Sequence, residues 1–297
     1  MSKQKFGAAP KIQFNYSNPG DDFSSFSEPL KKDMKMIESA IGLRFFYYGP
    51  RLWMIGENEP LKALQRKKTR KKIIERIIKE YPVETLDINR ALYRLRKNPS
   101  NEKLPSEYDS PPESVLQNGR LESVTLPIMY CSQEIETCIH ECRSTVADDL
   151  YLAILNPTKD LHVLNLAKII QDDSTEFESL DIGVHMLFMA AEHSYELSRE
   201  IAVGIKNAGF DGLIYPSYFS SLQTGAQPLE TVIGLSIRRF SRLKESLEAE
   251  IKPNIALFGR PLEEGKVKIN CISKVVLKKV TYDFDLGPVE TAETHHR

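Results

Sequence analysis

The sequence predicts an α+β fold, in which helices and strands do not alternate regularly along the chain. Short apolar segments of strand length, separated by turn residues, follow one another from about Ala91 onward. Helical periodicity occurs in only two segments between them, residues 133–146 and roughly 184–207. A doubly wound sheet needs a helix after nearly every strand, so this order of elements favours the α+β class.

Composition describes a soluble protein without a global preference for one class of partner. Of the 297 residues, 41% are hydrophobic and 27% are charged, and the net charge is −1, so nothing draws the whole chain toward nucleic acid or a lipid surface. No apolar run approaches the roughly 20 residues that a membrane span requires. The start of the chain lacks the apolar segment of a secretory signal, which predicts a cytoplasmic location.

Three parts of the chain differ in character. Residues 1–27 are polar and rich in Pro, Gly and Ser, which predicts a flexible arm. Residues 28–89 form a helical N-terminal extension, and its last helix has an isoleucine stripe, a basic first half and a stop at Pro82. The basic half is expected to be a solvated face, with RNA contact as the alternative. Residues 90–297 are the main domain, with its core in about 90–260.

The strands of the main domain are predicted from apolar runs bounded by turns. The helix over 184–207 has a natural stop at Gly209, because glycine tolerates the left-handed conformation that ends many helices. The strand candidates are LPIMYC, LYLAIL, LHVLNL, GLIYPSYF, NIALF and VKINCISKVVLKKVTYDF.

The helix after Tyr130 raises the question of a metal site, because it carries Cys138, His140 and Cys142. A zinc-peptidase helix requires a second histidine one turn after His-Glu, and Ser144 stands there instead. Cys138 and Cys142 share a helix face with isoleucines, and no second pair of ligands is present elsewhere in the sequence. Core cysteines are therefore the favoured interpretation, and no metal is predicted.

Nucleotide-binding loops are absent from the sequence. It contains no G-x-G and no G-x-x-x-x-G-K-[ST], so basic side chains would have to hold any phosphates. Arg94 in LYRLR and Arg120 in NGR are candidates, since a guanidinium grips a phosphate with two parallel hydrogen bonds. Tyr130 ends a buried strand, and Glu141 lies at the rim of its helix. Taken singly, none of these residues assigns a function.

Taken together, these segments resemble a known family. The order LYRLR, SPPES, NGR and PIMYCSQEIETCIHECR over residues 90–143, followed by AAEHSYELSREIAVGIKNAGFDGLIYPSYFS and PNIALFG, is similar to the RES domain. This domain occurs in the toxins of RES–Xre toxin–antitoxin systems, and the resemblance spans roughly residues 90–260. The segments upstream look like the N-terminal extension that some members carry.

The resemblance implies a fold similar to ADP-ribosyltransferases and cleavage of NAD⁺ at its nicotinamide–ribose bond, with phosphate or water as the acceptor. NAD⁺ is then a substrate, inorganic phosphate is a candidate co-substrate, and no cofactor is implied. The residues that match the family's catalytic positions are Arg94, Tyr130, Glu141 and Ser217, with Arg120 and Arg96 as substrate-binding residues. One departure is that Leu121-Glu122 follows the G-R turn, where an aromatic residue or Asn is usual.

These matches predict a role for each residue. Glu141 is expected to bind the nicotinamide ribose and stabilise its developing positive charge, and Tyr130 to pack against the nicotinamide or its ribose. Arg94 would anchor the pyrophosphate, with Arg96 in reserve if Arg94 is structural. Ser217 would donate to a phosphate or the carboxamide. Arg120 would steer an incoming phosphate.

Partners and rival functions also follow from the resemblance. It implies an Xre-type antitoxin that plugs the pocket, and it leaves a homodimer open. One rival is an RNA-binding or RNA-cleaving toxin. Helical ribonuclease toxins often carry an arginine and a histidine separated by four to six residues, and none of the six histidines here has an arginine at that distance upstream. The other rival is an inactive NAD-binding module, which only the Leu121-Glu122 departure supports.

Overall fold

The structure of the chain is a computed structural model. The structure describes residues 59–112, 114, 119–170, 180–189, 195–217, 231–232, 235–236 and 251–279. The predicted arm over 1–27 and the first part of the predicted extension lie outside these residues. No helix in the described part of the chain is long and apolar enough to cross a membrane.

Five α-helices lie within the described residues. Two come first, and the second of these is amphipathic, with Ile73 and Ile77 buried. A short helix follows the third strand, and two more come before the sixth. They are α1 (Glu59–Gln65), α2 (Lys67–Glu80), α3 (Ile135–Glu141), α4 (Leu180–Met189) and α5 (Tyr195–Asn207). A 3₁₀ turn spans Pro105–Tyr108.

Ten strands are described in the same residues. The central strands β6 and β9 are buried along nearly their whole length, which explains their largely apolar sequence. The strands are β1 (Val83–Leu86), β2 (Leu92–Lys97), β3 (Ile128–Cys131), β4 (Leu150–Pro157), β5 (Leu161–Asn165), β6 (Gly212–Pro216), β7 (Thr231–Val232), β8 (Leu235–Ser236), β9 (Pro253–Phe258) and β10 (Val267–Val275).

The strands form two main sheets and one small hairpin. The larger sheet has the order β1-β5-β6-β9-β3, in which only the β5–β6 pair is parallel. The smaller sheet is antiparallel, with the order β10-β4-β2. Two backbone hydrogen bonds between Tyr93 and Ser132 join the sheets where β2 meets the end of β3. This junction places β2 beside α3, and it positions the candidate site.

The mixed sheets with separate helices confirm the predicted α+β class. The helix predicted over 133–146 is shorter, because Arg143 adopts a left-handed backbone with φ of 46° just after α3. The helix predicted over 184–207 is two helices, α4 and α5, separated by residues outside the described part. The predicted stop at Gly209 is present, with φ of 95°. The strand β1 lies in a segment that the sequence placed in a helical extension.

The helices before residue 82 pack onto the main domain. Buried side chains of α1 and α2 belong to one hydrophobic cluster with those of α4, α5 and the larger sheet. Arg70, in the basic run of α2, is buried and forms ion pairs with Glu196 and Glu200 of α5. The solvated face expected for this run is therefore formed by the lysines around Arg70, while Arg70 itself faces inward.

Candidate functional site

A cleft of about 450 Å³ opens where β2, β3 and α3 meet the turn that carries Arg120. This volume falls within the range of about 300–1,000 Å³ that is typical of small-molecule sites. The cleft is lined mainly by charged and aromatic side chains. These are Arg94, Arg96, Arg120, Glu122, Tyr130, Glu141, Arg143, Tyr195 and Tyr215, together with Asn254.

Glu141 lies at the last residue of α3 and is held by two side chains from the larger sheet. Ser217 Oγ donates a hydrogen bond of 2.5 Å to Glu141 Oε1, and Asn254 Nδ2 donates to the same oxygen. Both bonds use Oε1, so neither occupies Oε2. Two donors on one oxygen fix the direction of the carboxylate group at the cleft wall.

The pairing of β6 with β9 brings these two donors together. Tyr215 lies opposite Asn254 in the register, and the backbone N–H of Ser217 donates to Lys252 O at 2.7 Å. Ser217 and Asn254 are both buried. The sheet therefore presents a fixed serine hydroxyl and a fixed amide to the end of α3.

Arg94 lies in the middle of β2 and is 5% exposed. Its two terminal nitrogens donate to backbone carbonyls, to Tyr130 O at 2.7 Å and to Asp109 O at 2.7 Å. Among the described residues Nε has no hydrogen-bond partner. Burial lowers the pKa of Arg94 to about 10, and the nearby charge of Arg96 adds to this effect. Arg94 thus stabilises the wall of the cleft and also contributes a positive charge to it.

Arg96 lies two residues further along β2, on the same side of the strand. Its side chain keeps 35% of its surface exposed, and its only described ion pair is a distant one of 3.8 Å to Glu107. Its Nε is buried without a hydrogen-bond partner in the described part of the chain. Arg96 therefore retains more donor capacity toward the cleft than Arg94 does.

Arg120 is fixed by the two helices that precede β6. Its Nη1 donates to Phe188 O at 3.0 Å, and its guanidinium lies 5.7 Å from the centre of the Tyr195 ring. Ser198 Oγ donates to Arg120 O at 2.6 Å. Burial by itself would lower the pKa of Arg120, but the nearby Tyr215, Tyr195 and Glu141 outweigh it and raise that pKa.

Tyr130 is the second-last residue of β3, with its side chain half-buried and its hydroxyl beside the Arg120 turn. The backbone N–H of Leu121 donates to Tyr130 Oη at 3.2 Å. Burial raises the pKa of Tyr130 well above its usual range, and the neighbouring Glu122 adds to this shift. The phenol consequently remains protonated at neutral pH. The structure thus brings all six residues singled out in the sequence to one cleft or, for Ser217, into contact with its wall.

Comparison with known proteins adds an assignment to this geometry. A sequence model of the RES domain family matches residues 91–226. This part of the chain is similar to the RES domain family. Among solved structures, one similar chain comes from the M. tuberculosis MbcT–MbcA toxin–antitoxin complex, with 11% identity, a TM-score of 0.37 and coverage of 74% of this chain and 94% of that chain. A comparison with curated proteins found no match.

The matched range of the RES domain contains the six candidate residues, but the cleft extends beyond it. Asn254 on β9 lies outside the range and was missed by sequence reasoning, although a polar residue that opens the apolar run NIALF was a signal. Tyr215 was also missed, since a tyrosine within an apolar run is typical of a core position. Tyr195 was missed because its polar neighbours, Ser194 and Glu196, form no motif. Arg143 was missed because the sequence placed it inside a helix.

The cysteines near this cleft are packed against β2. Cys138 Sγ donates to Tyr93 O at 3.2 Å and Cys142 Sγ to Leu95 O at 3.7 Å. Burial raises the pKa of Cys138 to about 12, and a protonated thiol is a poor metal ligand. The described residues contain no group of three or more His, Cys, Asp or Glu side chains placed to hold a metal ion. These positions agree with the interpretation of Cys138 and Cys142 as core residues.

Proposed function

We propose that this protein is an NAD⁺-degrading enzyme that cleaves the nicotinamide–ribose bond, and that it is the toxin of a toxin–antitoxin system. The observation that carries the proposal is the Glu141 carboxylate. It is held by Ser217 and Asn254 at the wall of a cleft lined by arginines. The similarity to the RES domain family over residues 91–226 supports the same conclusion, because the family resemblance implies this activity.

The charges of the cleft suit a dinucleotide. Four arginines and two glutamates are among its described lining residues, which leaves two net positive charges. The pyrophosphate of NAD⁺ carries two negative charges. The aromatic rings supply flat apolar surface, which the nicotinamide and adenine rings require. Electrostatic complementarity of this kind orients the ligand and favours its association.

The bond that breaks joins C1′ of the ribose to the nicotinamide nitrogen. Its electron pair leaves with nicotinamide, which departs as a neutral molecule, so no general acid is needed. Positive charge then develops on the ribose, as in glycoside hydrolysis. A fixed carboxylate near C1′ stabilises that charge more in the transition state than in the ground state. Glu141 has this role, with Oε1 held by its two donors and Oε2 directed to the ribose.

The contacts divide the other roles. Arg96 and Arg143 bind the pyrophosphate, because both line the cleft and keep exposed surface. Arg94 binds two backbone carbonyls and mainly holds the cleft wall, while its charge still attracts the phosphates. Tyr130 and Tyr215 form the surface against which the nicotinamide end packs. Ser217 acts through Glu141 and is a positioning residue rather than a phosphate ligand.

An antitoxin partner is part of the proposal. An enzyme that depletes NAD⁺ harms the cell that makes it, and an open cleft of this size can be blocked by a segment of a second protein. The family resemblance points to an Xre-type protein for this partner. It also makes NAD⁺ the substrate, so that no bound cofactor is required.

Expression in cells tests the proposal against its rivals. Wild-type protein is expected to lower the cellular NAD⁺ pool before growth stops, whereas Glu141→Gln at the same level should do neither. Glu136→Gln is the matched control, because Glu136 lies on the same helix with its side chain exposed. Growth arrest with an unchanged NAD⁺ pool would favour the RNA-cleaving alternative. Binding of NAD⁺ without any turnover would favour the inactive module.

A further inference from the structure

We propose that Glu122 is the general base that activates the acceptor, and that this acceptor is water rather than inorganic phosphate. The inference rests on the proposed function, since it concerns the second half of the same reaction. It also gives a role to the departure from the family pattern at Leu121-Glu122. The chain would accordingly release free ADP-ribose.

The turn that carries Glu122 is built to place its carboxylate in the cleft. Leu121 is fully buried in the hydrophobic cluster that it shares with the helices and the larger sheet, and this packing fixes the turn. A Cβ added at Gly119 would lie 2.6 Å from Glu122 Oε1 and 2.9 Å from its Cγ. The glutamate side chain therefore folds over Gly119, in space that only a glycine leaves open. Glu122 lines the same cleft as Glu141 and Tyr130.

The two cleft carboxylates have different surroundings. Glu141 is tied by Ser217 and Asn254, which fixes it for electrostatic stabilisation. No hydrogen bond to the Glu122 carboxylate occurs among the described residues, so this group keeps its lone pairs for a water molecule. The other charged residues that line the cleft are Arg94, Arg96, Arg120, Glu141 and Arg143, and its phenols are Tyr130, Tyr195 and Tyr215.

Burial strengthens Glu122 as a base. Loss of contact with solvent raises the pKa of Glu122, and the positive charge of Arg94 opposes part of that rise. A carboxylate whose pKa is raised binds a proton more readily. Effective general bases have pKa values close to the working pH.

The reaction then balances as a hydrolysis. The C1′–N bond breaks, and its electron pair leaves with nicotinamide. The oxygen of water forms the new bond to C1′, and Glu122 takes one proton from that water and later releases it to solvent. ADP-ribose, nicotinamide and one proton are formed from NAD⁺ and water.

Phosphate is a poor match for the same position. Phosphate attacks through an oxygen that is already ionised, so it needs no base, and a carboxylate beside its path repels it. Arg120, which the sequence suggested as a guide for phosphate, is already engaged by Phe188 O and the Tyr195 ring. The surroundings of Glu122 therefore favour a neutral acceptor that must lose a proton.

Product analysis tests the inference. Purified protein is incubated with NAD⁺, with and without a large excess of inorganic phosphate. Wild-type protein should form ADP-ribose under both conditions. Glu122→Gln should lower kcat by about 10²–10⁴-fold, the usual contribution of a general base, with little change in KM. Azide is a nucleophile that needs no deprotonation, so it should restore turnover of Glu122→Gln and form ADP-ribosyl azide.

Two further variants separate the outcomes. Gly119→Ala should also lower kcat, because it displaces the Glu122 side chain, whereas Glu136→Gln should match the wild type. A phosphorylated product, or a Glu122→Gln variant with wild-type kcat, overturns this inference and leaves the proposed function standing. Wild-type protein that consumes no NAD⁺ overturns both.

Discussion

Ser217 Oγ donates a hydrogen bond to Glu141 Oε1 across 76 residues of chain. The bond connects the end of β6 to the end of α3, and Asn254 of β9 donates to the same oxygen. A carboxylate fixed by a central sheet keeps its direction when a ligand binds, which is what stabilisation of a developing charge requires. This relationship is the structural basis of the proposed mechanism.

Asn254→Ala tests the second donor. Loss of one hydrogen bond to a charged group removes about 1.5–3 kcal/mol, so kcat for NAD⁺ cleavage should fall by about tenfold to a hundredfold. KM should change little, because the amide orients Glu141 and does not bind the dinucleotide. Asn270→Ala is the matched control, since Asn270 is exposed on β10. Steady-state kinetics with equal effects in both variants would contradict the assignment.

Arg94 and Arg96 should respond differently to the same replacement by methionine. Arg94→Met leaves Tyr130 O and Asp109 O without their donors, so the free energy of unfolding should fall by about 2–3 kcal/mol. Arg96→Met should change that free energy by less than about 0.5 kcal/mol, because its described ion pair to Glu107 is long, at 3.8 Å. It should raise the KM for NAD⁺. Chemical denaturation and kinetics measure the two effects. A stable Arg94→Met with a raised KM would reverse the assignments.

Arg70 should act on the cleft from a distance. Its guanidinium connects Leu64 O of α1 to Glu196 and Glu200 of α5. The first turn of α5 also contacts the Arg120 turn, because Ser198 Oγ donates to Arg120 O. Arg70→Met should lower the free energy of unfolding by about 1–2 kcal/mol and should speed hydrogen exchange of the amides at residues 119–121. Lys71→Met is the control, because Lys71 is exposed on the same helix. Unchanged exchange in Arg70→Met would show that α5 does not transmit the effect.

Asp148 gives a pH dependence that is independent of the cleft. A hydrogen bond from Lys97 and a second from the Thr145 N–H lower the pKa of Asp148 to about 2, from an ordinary 3.8. Because the folded pKa is the lower one, the stabilisation is present above pH 3.8 and is lost as the pH falls toward 2. The denaturation midpoint of Asp148→Asn should therefore fall less than that of the wild type as the pH is lowered from 3.8 to about 2. An identical fall in both proteins would contradict this origin.

Much of the fold could be predicted from local sequence pattern. A few neighbouring residues specify each of three features. These are the largely apolar runs of β6 and β9, the isoleucine stripe of α2 and the stop at Gly209. The strand β2 was harder to predict, because its two arginines interrupt the apolar pattern while their side chains face the cleft. The early end of α3 depends on a left-handed Arg143, which sequence pattern does not predict.

The candidate site could be predicted from the sequence only in part. Motif order identified Arg94, Tyr130, Glu141 and Ser217 as a set, but it could not show that Arg94 binds backbone carbonyls or that Ser217 binds Glu141. These contacts follow from the junction of two sheets and from the register of β6 on β9, which are long-range properties. Asn254 enters the site through that register alone.

Nicotinamide release from NAD⁺ by the purified protein, compared with that of Glu141→Gln, tests the central claim most directly. The wild type should release nicotinamide in proportion to enzyme concentration, and Glu141→Gln should lose at least a hundredfold in kcat, as expected when a charge-stabilising group is removed. Thermal melting confirms that the variant is folded. A wild type that leaves NAD⁺ intact, or a folded Glu141→Gln variant with unchanged kcat, would contradict the claim.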